Sequence, residues 1–310
     1  MMDAILLTIA LVVFGLIIGS FLTVCVFRIP YGREKGPGDF AAEADAAAEE
    51  AAAAAEASPE EGERMSVLYP VRSFCPECRH QLSWRHNIPL FSWLLLGGKC
   101  AYCRAPIPVR YPAIELLSAL TCVLSYYTAG NIPTALVLYA FCCGLLVVTF
   151  IDIEYYIIPD VISFPGMALG LAAAAVNQLW AAYHGGAPLF TPPVVPTIAD
   201  ALWGLLAGGG FLYAVAELYR LSRGREGLGL GDVKLLAVVG LFFGWQASLY
   251  TIFVGSVVGS VLGVAQLLVQ GHKLSRPLPF GPYLAIAALL FLFSDPELPR
   301  VFVQNMFFAR

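Results

Sequence analysis

Two groups of residues in this chain are placed to do chemistry. The first is a set of four cysteines, Cys75-Pro-Glu-Cys78 and Cys100-Ala-Tyr-Cys103, with 21 residues between the pairs. Two thiolates separated by two residues ligate one ion from a single tight turn, and two such turns complete a tetrahedral four-sulfur site. The spacing is close to that of a zinc ribbon, so Cys75, Cys78, Cys100 and Cys103 are the expected ligands of a zinc ion. Four thiolates leave no open coordination position. The metal is therefore expected to be structural, stapling a segment too small to hold itself together. His80 and His86 lie nearby, but with four cysteines present they read as surface residues. Cys25, Cys122, Cys142 and Cys143 lie in apolar runs and read as small buried hydrophobes.

The second group is acidic. Between Tyr111 and Asn177 the only charged residues are Glu115, Asp152, Glu154 and Asp160. Asp152 ends one apolar run, Asp160 opens the next after Ile158-Pro159, and Gly229-Leu230-Gly231-Asp232-Val233-Lys234 begins a third. Charges at the ends of apolar spans are costly, so each is a functional candidate. Asp152 and Asp232 are the candidate catalytic pair. Two carboxylates held together share a proton. The ionised one takes a proton from water as it attacks a peptide carbonyl, and the protonated one donates to the carbonyl oxygen. Glycines beside Asp232 allow an extended substrate to approach the backbone closely. The alternative for each aspartate is helix capping or interfacial solvation, and Asp160 reads as such a cap. Lys234 either pairs with the dyad or snorkels to the interface.

The elements that must position these residues are membrane helices. Of 310 residues 59% are hydrophobic and only 13% charged, with a mean hydropathy of +0.74. A soluble domain carries about 25% charged residues, which excludes a soluble enzyme and a secreted disulfide scaffold. The net charge of −4 gives no ground for a nucleic-acid partner. A span needs roughly 20 apolar residues. Runs at 4–26, 112–128, 133–150, 161–182, 200–219, 234–246, 249–270 and 279–294 predict an all-α polytopic membrane protein of about eight spans. Gly244, Trp245, Gln246 and Ser248 suggest a tight turn within 233–270, one long tilted helix being the alternative. Met1 to Asp3 is too short and acidic for the basic start of a signal peptide, so 4–26 reads as a retained span.

Lysine and arginine set the orientation. Ten of the eighteen fall between residues 28 and 110, which makes that stretch cytoplasmic and the N-terminus external. The loops with Arg220, Arg223 and Arg225, and with His272, Lys273 and Arg276, are then cytoplasmic too, as are Asp152 and Asp232. The loop at 183–199 has no Lys or Arg and is expected outside. The reducing cytosol argues against disulfides among the four cysteines. The expected organisation is a first transmembrane helix at 1–26, a cytoplasmic zinc-binding domain at 27–110 and a transmembrane catalytic domain at 111–310. Inside the second lies an acidic stretch at 36–63 with nine acidic residues and twelve alanines, which reads as a solvated, partly helical insertion, the alternative being an acidic docking arm.

These residues resemble a known family. Gly229-Leu230-Gly231-Asp232 with Val233-Lys234-Leu235 resembles the GxGD motif of the type IV prepilin peptidases, a group of intramembrane aspartic proteases. Asp152 to Asp160, as D-x-x-x-x-x-I-P-D, resembles their first aspartate motif. Gly19-Ser20-Phe21-Leu22, Arg28-Ile29-Pro30, the two CxxC pairs, Asn87-Ile88-Pro89, Ser92-Trp93, Gly98-Lys99-Cys100 and Arg110-Tyr111-Pro112 through Glu115 resemble the N-terminal half of the bifunctional bacterial members. The resemblance implies an enzyme of the bacterial cytoplasmic (inner) membrane. It would cleave the leader from type IV prepilins or type II secretion pseudopilins, then methylate the new N-terminal amine with S-adenosylmethionine. By motif position Asp152 and Asp232 would be the catalytic pair, Asp160 the trailing aspartate, and the four cysteines would hold the domain associated with methylation. The insertion at 36–63 departs from the family pattern, and no Gly-rich nucleoside-binding turn is visible. Glu115, Arg110 and Asn87 are candidate polar contributors to methylation or interfacial anchors. The rival readings are a membrane transporter with a cytoplasmic zinc domain, a non-enzymatic assembly subunit, and a peptidase lacking methylation.

Overall fold

A computed structural model describes residues 2–31, 66–67, 69–195, 197–224, 229–270, 279–295 and 297–308. The insertion at 36–63 and the basic loop at 272–276 lie outside the described residues. In chain order the helices are α1 (Met2–Arg28), α2 (Phe91–Leu95), α3 (Arg110–Thr128), α4 (Ile132–Tyr155), α5 (Asp160–Tyr183), α6 (Ile198–Arg223, with a π-helical turn at Leu206–Gly210), α7 (Leu230–Gln270), α8 (Gly281–Phe293) and α9 (Glu297–Phe308). No sheet forms among the described residues, only two isolated bridges in the cysteine segment. The protein is all-helical and multi-pass.

Among the described residues five helices, α1, α4, α5, α6 and α7, are long and apolar enough to cross a membrane. The eight expected runs are all helical, yet three do not add to that number. α3 falls outside the set, α8 has only 13 residues, and the runs 234–246 and 249–270 belong to one helical stretch. That stretch nevertheless turns back on itself. Gly244 has φ 81° and ψ −176°, which only glycine adopts readily. A Cβ on Gly240 would stand 2.8 Å from the Ser248 hydroxyl, whereas eight residues of continuous helix span about 12 Å. The turn is therefore where Gly244-Trp245-Gln246 suggested.

The backbones approach closely where side chains are smallest. A Cβ on Gly204 would lie 2.0 Å from the Gly240 carbonyl oxygen, and α1 lays Gly15 and Gly19 against Ala119 and Glu115 of α3. Close small-residue crossings suit helices in lipid, where no hydrophobic force drives association. The central core joins α4, α7 and α8 through Leu138, Leu145, Leu236, Val239 and Leu284, each nearly inaccessible. Large apolar residues such as Ile5, Ile9, Leu169 and Val261 face outward, as lipid contact requires. The chain between α5 and α6 packs at the start of α4, where Thr191 N–H donates to Thr134 Oγ1 at 2.8 Å and Asn131 Nδ2 donates to the Leu189 carbonyl. Asp152 lies at the opposite end of that 24-residue helix. The loop without basic residues and the candidate dyad thus occupy opposite ends of the bundle.

Candidate active site and metal centre

Three helix ends build the carboxylate site. α4 stops at Tyr155 because Tyr156 turns left-handed (φ 57°, ψ 33°), and its N–H donates to the Asp152 carbonyl at 3.0 Å. Two residues, Ile157 and Ile158, lead to Pro159, which is extended and occupies the cap position of α5. α7 begins at Leu230, so Asp232 sits in its first turn. α8 begins at Gly281, whose N–H donates to Asp152 Oδ2 at 3.0 Å. Asp152 and Asp232 are 5% and 9% exposed, and Asp232 lies close enough to feel the charge of Asp152. Residues 80 apart in the chain are thus brought near one another at buried helix ends.

Glycine is required on both sides of the pair. A Cβ on Gly281 would lie 2.6 Å from Asp152 Oδ2, and one on Gly231 would lie 2.9 Å from the Ile158 Cβ. Ile158 also approaches Gly281, so it wedges between the starts of α7 and α8. Gly281→Ala must push the carboxylate aside. Since a misplacement of about 1 Å can cost about a hundredfold in rate, a reaction carried by the Asp152 carboxylate is expected to lose rate by that order. Initial rates on purified protein check it, and near-normal turnover would refute the geometric argument.

Asp160 differs from expectation. It is the first residue of α5, not its cap, and Pro159 occupies the cap position. The Pro159 carbonyl already receives the Ile162 and Ser163 N–H groups, and the Asp160 carboxylate instead reaches across to pair with Lys234 of α7. Lys234 also lies over the Phe164 ring at 5.3 Å. Of the two readings for Lys234, pairing is present, but with Asp160 and not with the dyad. One partner was not singled out from the sequence: Gly281, although Pro279-Phe280-Gly281-Pro282 ahead of an apolar run was a signal for a built turn. Glu154, one of the four charges between Tyr111 and Asn177, pairs with Arg110 at the start of α3.

The four cysteines come together from two equivalent turns. In the first, Cys75 N–H donates to the His80 carbonyl and Arg79 N–H to the Cys75 carbonyl. In the second, Cys100 N–H donates to the Ala105 carbonyl and Arg104 N–H to the Cys100 carbonyl. Arg79 and Arg104 occupy matching positions and both have positive φ, 55° and 62°. The short repeat Cys-x-x-Cys-Arg was therefore the visible sign of two superposable knuckles. Their sulfurs lie within 4.8 Å of one another, so the cluster can hold a metal ion. Aiming the Cys103 N–H at the Cys100 sulfur, against the cost of desolvation, lowers that thiol to about 7, which favours the ligating thiolate. The His80 ring lies tilted by 37° against Tyr102 with centroids 3.7 Å apart, and His86 meets the same ring edge-on at 5.5 Å. Both histidines are thus engaged beside the cluster and contribute no ligand atom to it.

Comparison with known proteins matches both halves of this architecture. Residues 13–129 match the Bacterial Peptidase A24 N-terminal domain, and residues 139–264 match the Type IV leader peptidase family. A protein of Pseudomonas aeruginosa named prepilin leader peptidase/N-methyltransferase is 38% identical over 296 residues, covering 94% of this chain and 92% of that protein. The chain belongs to the type IV leader peptidase family. Relatives of the same name from Stutzerimonas stutzeri and Aeromonas salmonicida are 37% and 35% identical over 303 and 297 residues. They are matched over 93% and 92% of their own lengths. No solved structure gives a significant match. The leader peptidase match spans Asp152, Asp160, Gly231 and Asp232, while Gly281 lies beyond its end.

Proposed function

We propose that this protein is a membrane aspartic endopeptidase that removes the leader of type IV prepilins or type II secretion pseudopilins. It then methylates the new N-terminal amine. The observation that carries the reading is the buried pair Asp152 and Asp232 beneath the Gly281 N–H. That N–H can only donate, so Asp152 Oδ2 works as an acceptor, and the pair holds one proton between its remaining oxygens. Water bound between the carboxylates gives a proton to the ionised member as its oxygen attacks the scissile carbonyl. The other member protonates the carbonyl oxygen. Collapse of the tetrahedral intermediate breaks the C–N bond, and the leaving amine takes up a proton from the dyad. Gly229 bears no side chain beside Asp232 Oδ2, which leaves the approach low enough for an extended peptide backbone.

Asp152 and Asp232 stand at helix ends rather than in mid-span, which favours a protease at the membrane surface over a transporter, whose sites lie near the midplane. The same end of the bundle carries Arg28, Arg110 and the cysteine segment. An excess of Lys and Arg on that side makes it cytoplasmic, with the N-terminus of α1 outside. Zinc fits the four-thiolate donor set, and Cys75, Cys78, Cys100 and Cys103 hold it as a structural ion within the 27–110 domain. S-adenosylmethionine supplies an electrophilic methyl group for the second activity.

Co-expression with a prepilin in a host lacking its own peptidase tests the proposal. Mass spectrometry is expected to show leader removal and one added methyl on the product. Cleavage that persists in both Asp152→Ala and Asp232→Ala would sink the mechanism. Asp160→Ala is expected to cleave within severalfold of wild type. Its ion pair with Lys234 is more than half exposed on the Asp160 side, and exposed pairs contribute only about 0.2–1 kcal/mol.

A further inference from the structure

A cavity of about 380 Å³ lies between the end of α1, the start of α3 and the cysteine knuckles. It is distinct from the carboxylate pair, neither of whose members lines it. Glu115 is on its wall and only 7% exposed. The Leu90 N–H donates to Glu115 Oε2 at 2.7 Å, and the Ser20 hydroxyl also hydrogen-bonds to the carboxylate. Both partners are neutral, so they satisfy lone pairs without neutralising the charge, and a carboxylate out of water calls for a cation.

The segment that supplies one of those donors is strained. Leu90 has φ 62° and ψ −52°, and the Phe91 N–H closes onto the Pro89 carbonyl at 2.6 Å. A left-handed γ-turn at a leucine is costly, and strain of this kind gathers at ligand-binding sites. Here it aims an N–H at Glu115.

The rest of the wall is complementary to a zwitterion with an aromatic end. Arg28, 7% exposed, gives Nη1 to the Ser66 and Val67 carbonyls at 3.2 and 3.1 Å. A guanidinium carries five N–H donors, so others remain to meet a carboxylate. Phe27, Trp93 and Tyr111 supply aromatic faces. We propose that this cavity is the binding site for the sulfonium methyl donor, S-adenosylmethionine. Glu115 faces its positive charge, Arg28 its carboxylate, and the aromatic side chains its adenine. The volume lies in the range of sites for ligands of that size. The assignment rests on the methyl-transfer reading given above. It gains from the ion pair between Arg110, on the cavity wall, and Glu154, two residues beyond Asp152 on α4. That pair ties the cavity wall to the end of the helix that carries Asp152.

The test is calorimetric binding of S-adenosylmethionine to the full-length protein in detergent. Wild type is compared with Glu115→Gln, which keeps the shape and loses the charge, and Ser20→Phe, which fills the cavity. Metal content serves as the folding control. Binding at least tenfold weaker in both variants is the expected result. Photolabelling of unsubstituted protein with an azido-adenine analogue of the donor is expected to mark the Trp93 or Tyr111 peptide, and does not depend on any variant folding. Wild-type affinity in both variants, or a label that maps elsewhere, overturns the site while leaving methyl transfer standing. A wild-type protein that binds no donor and leaves cleaved prepilin unmethylated overturns the methyl-transfer reading and the site with it.

Discussion

Asp152→Asn and Asp232→Asn are each expected to lower leader cleavage by about a thousandfold, because positioned acid–base groups contribute roughly a hundred- to ten-thousandfold. Asparagine is the informative replacement. Its amide oxygen still accepts the Gly281 N–H that now reaches Asp152 Oδ2, and its volume leaves Ile158 and the start of α8 in place. Thermal stability should therefore stay near that of wild type or rise, since a buried charge is removed. The double variant should be no slower than either single one, because two residues that act as a unit do not lose rate additively. Initial rates on a prepilin substrate in detergent, beside thermal unfolding of the same samples, measure both quantities. A single variant that keeps a tenth of wild-type activity would show that the carboxylates do not share the reaction.

Removing the metal is the second large effect. Between residues 69 and 109 the only buried side chains among those described are Cys75 and Cys100. The segment has a short 3₁₀ turn, α2 and two isolated bridges, but no apolar core of its own. On the reading proposed above its order comes from the ion that four convergent sulfurs can hold, and structural zinc binding contributes about 10–16 kcal/mol in small zinc domains at neutral pH. Cys75→Ser, or a strong chelator, is expected to open the segment to protease while the helices stay resistant. Methylation should fall further than cleavage, because the dyad draws no side chain from this segment and the cavity beside α1 and α3 does. Elemental analysis should find one zinc per chain in wild type and none in Cys75→Ser. A protease-resistant segment without metal would refute this account of its stability.

How much of this was legible in the residues follows from the range of each signal. Short-range chemistry was readable. The two CxxC pairs name their ligands because a knuckle is closed by hydrogen bonds within six residues. The turn at Gly244 was readable because a single positive φ selects glycine. Apolar length marked the helical runs, but not which of them qualify as spans, since α3 and α8 are short or less apolar and owe their places to packing. Local capping was misread at Asp160, where a lysine 74 residues away on α7 takes the carboxylate.

By itself, then, the amino-acid order determined an all-helical membrane protein, a four-cysteine metal site and two aspartates at helix ends. Tertiary structure alone decided that Asp152 receives the Gly281 N–H with Asp232 near it, that Asp160 pairs with Lys234, and that Glu115 receives the Leu90 N–H. The physical reason lies in the helices themselves. In lipid, both the packed face and the outward face of a helix are apolar, so periodicity does not mark which side is buried. Rotation and crossing are set instead by where backbones can touch, as at Gly204 and Gly240 or Gly19 and Glu115. Those contacts join residues far apart in the chain, and no local pattern records them.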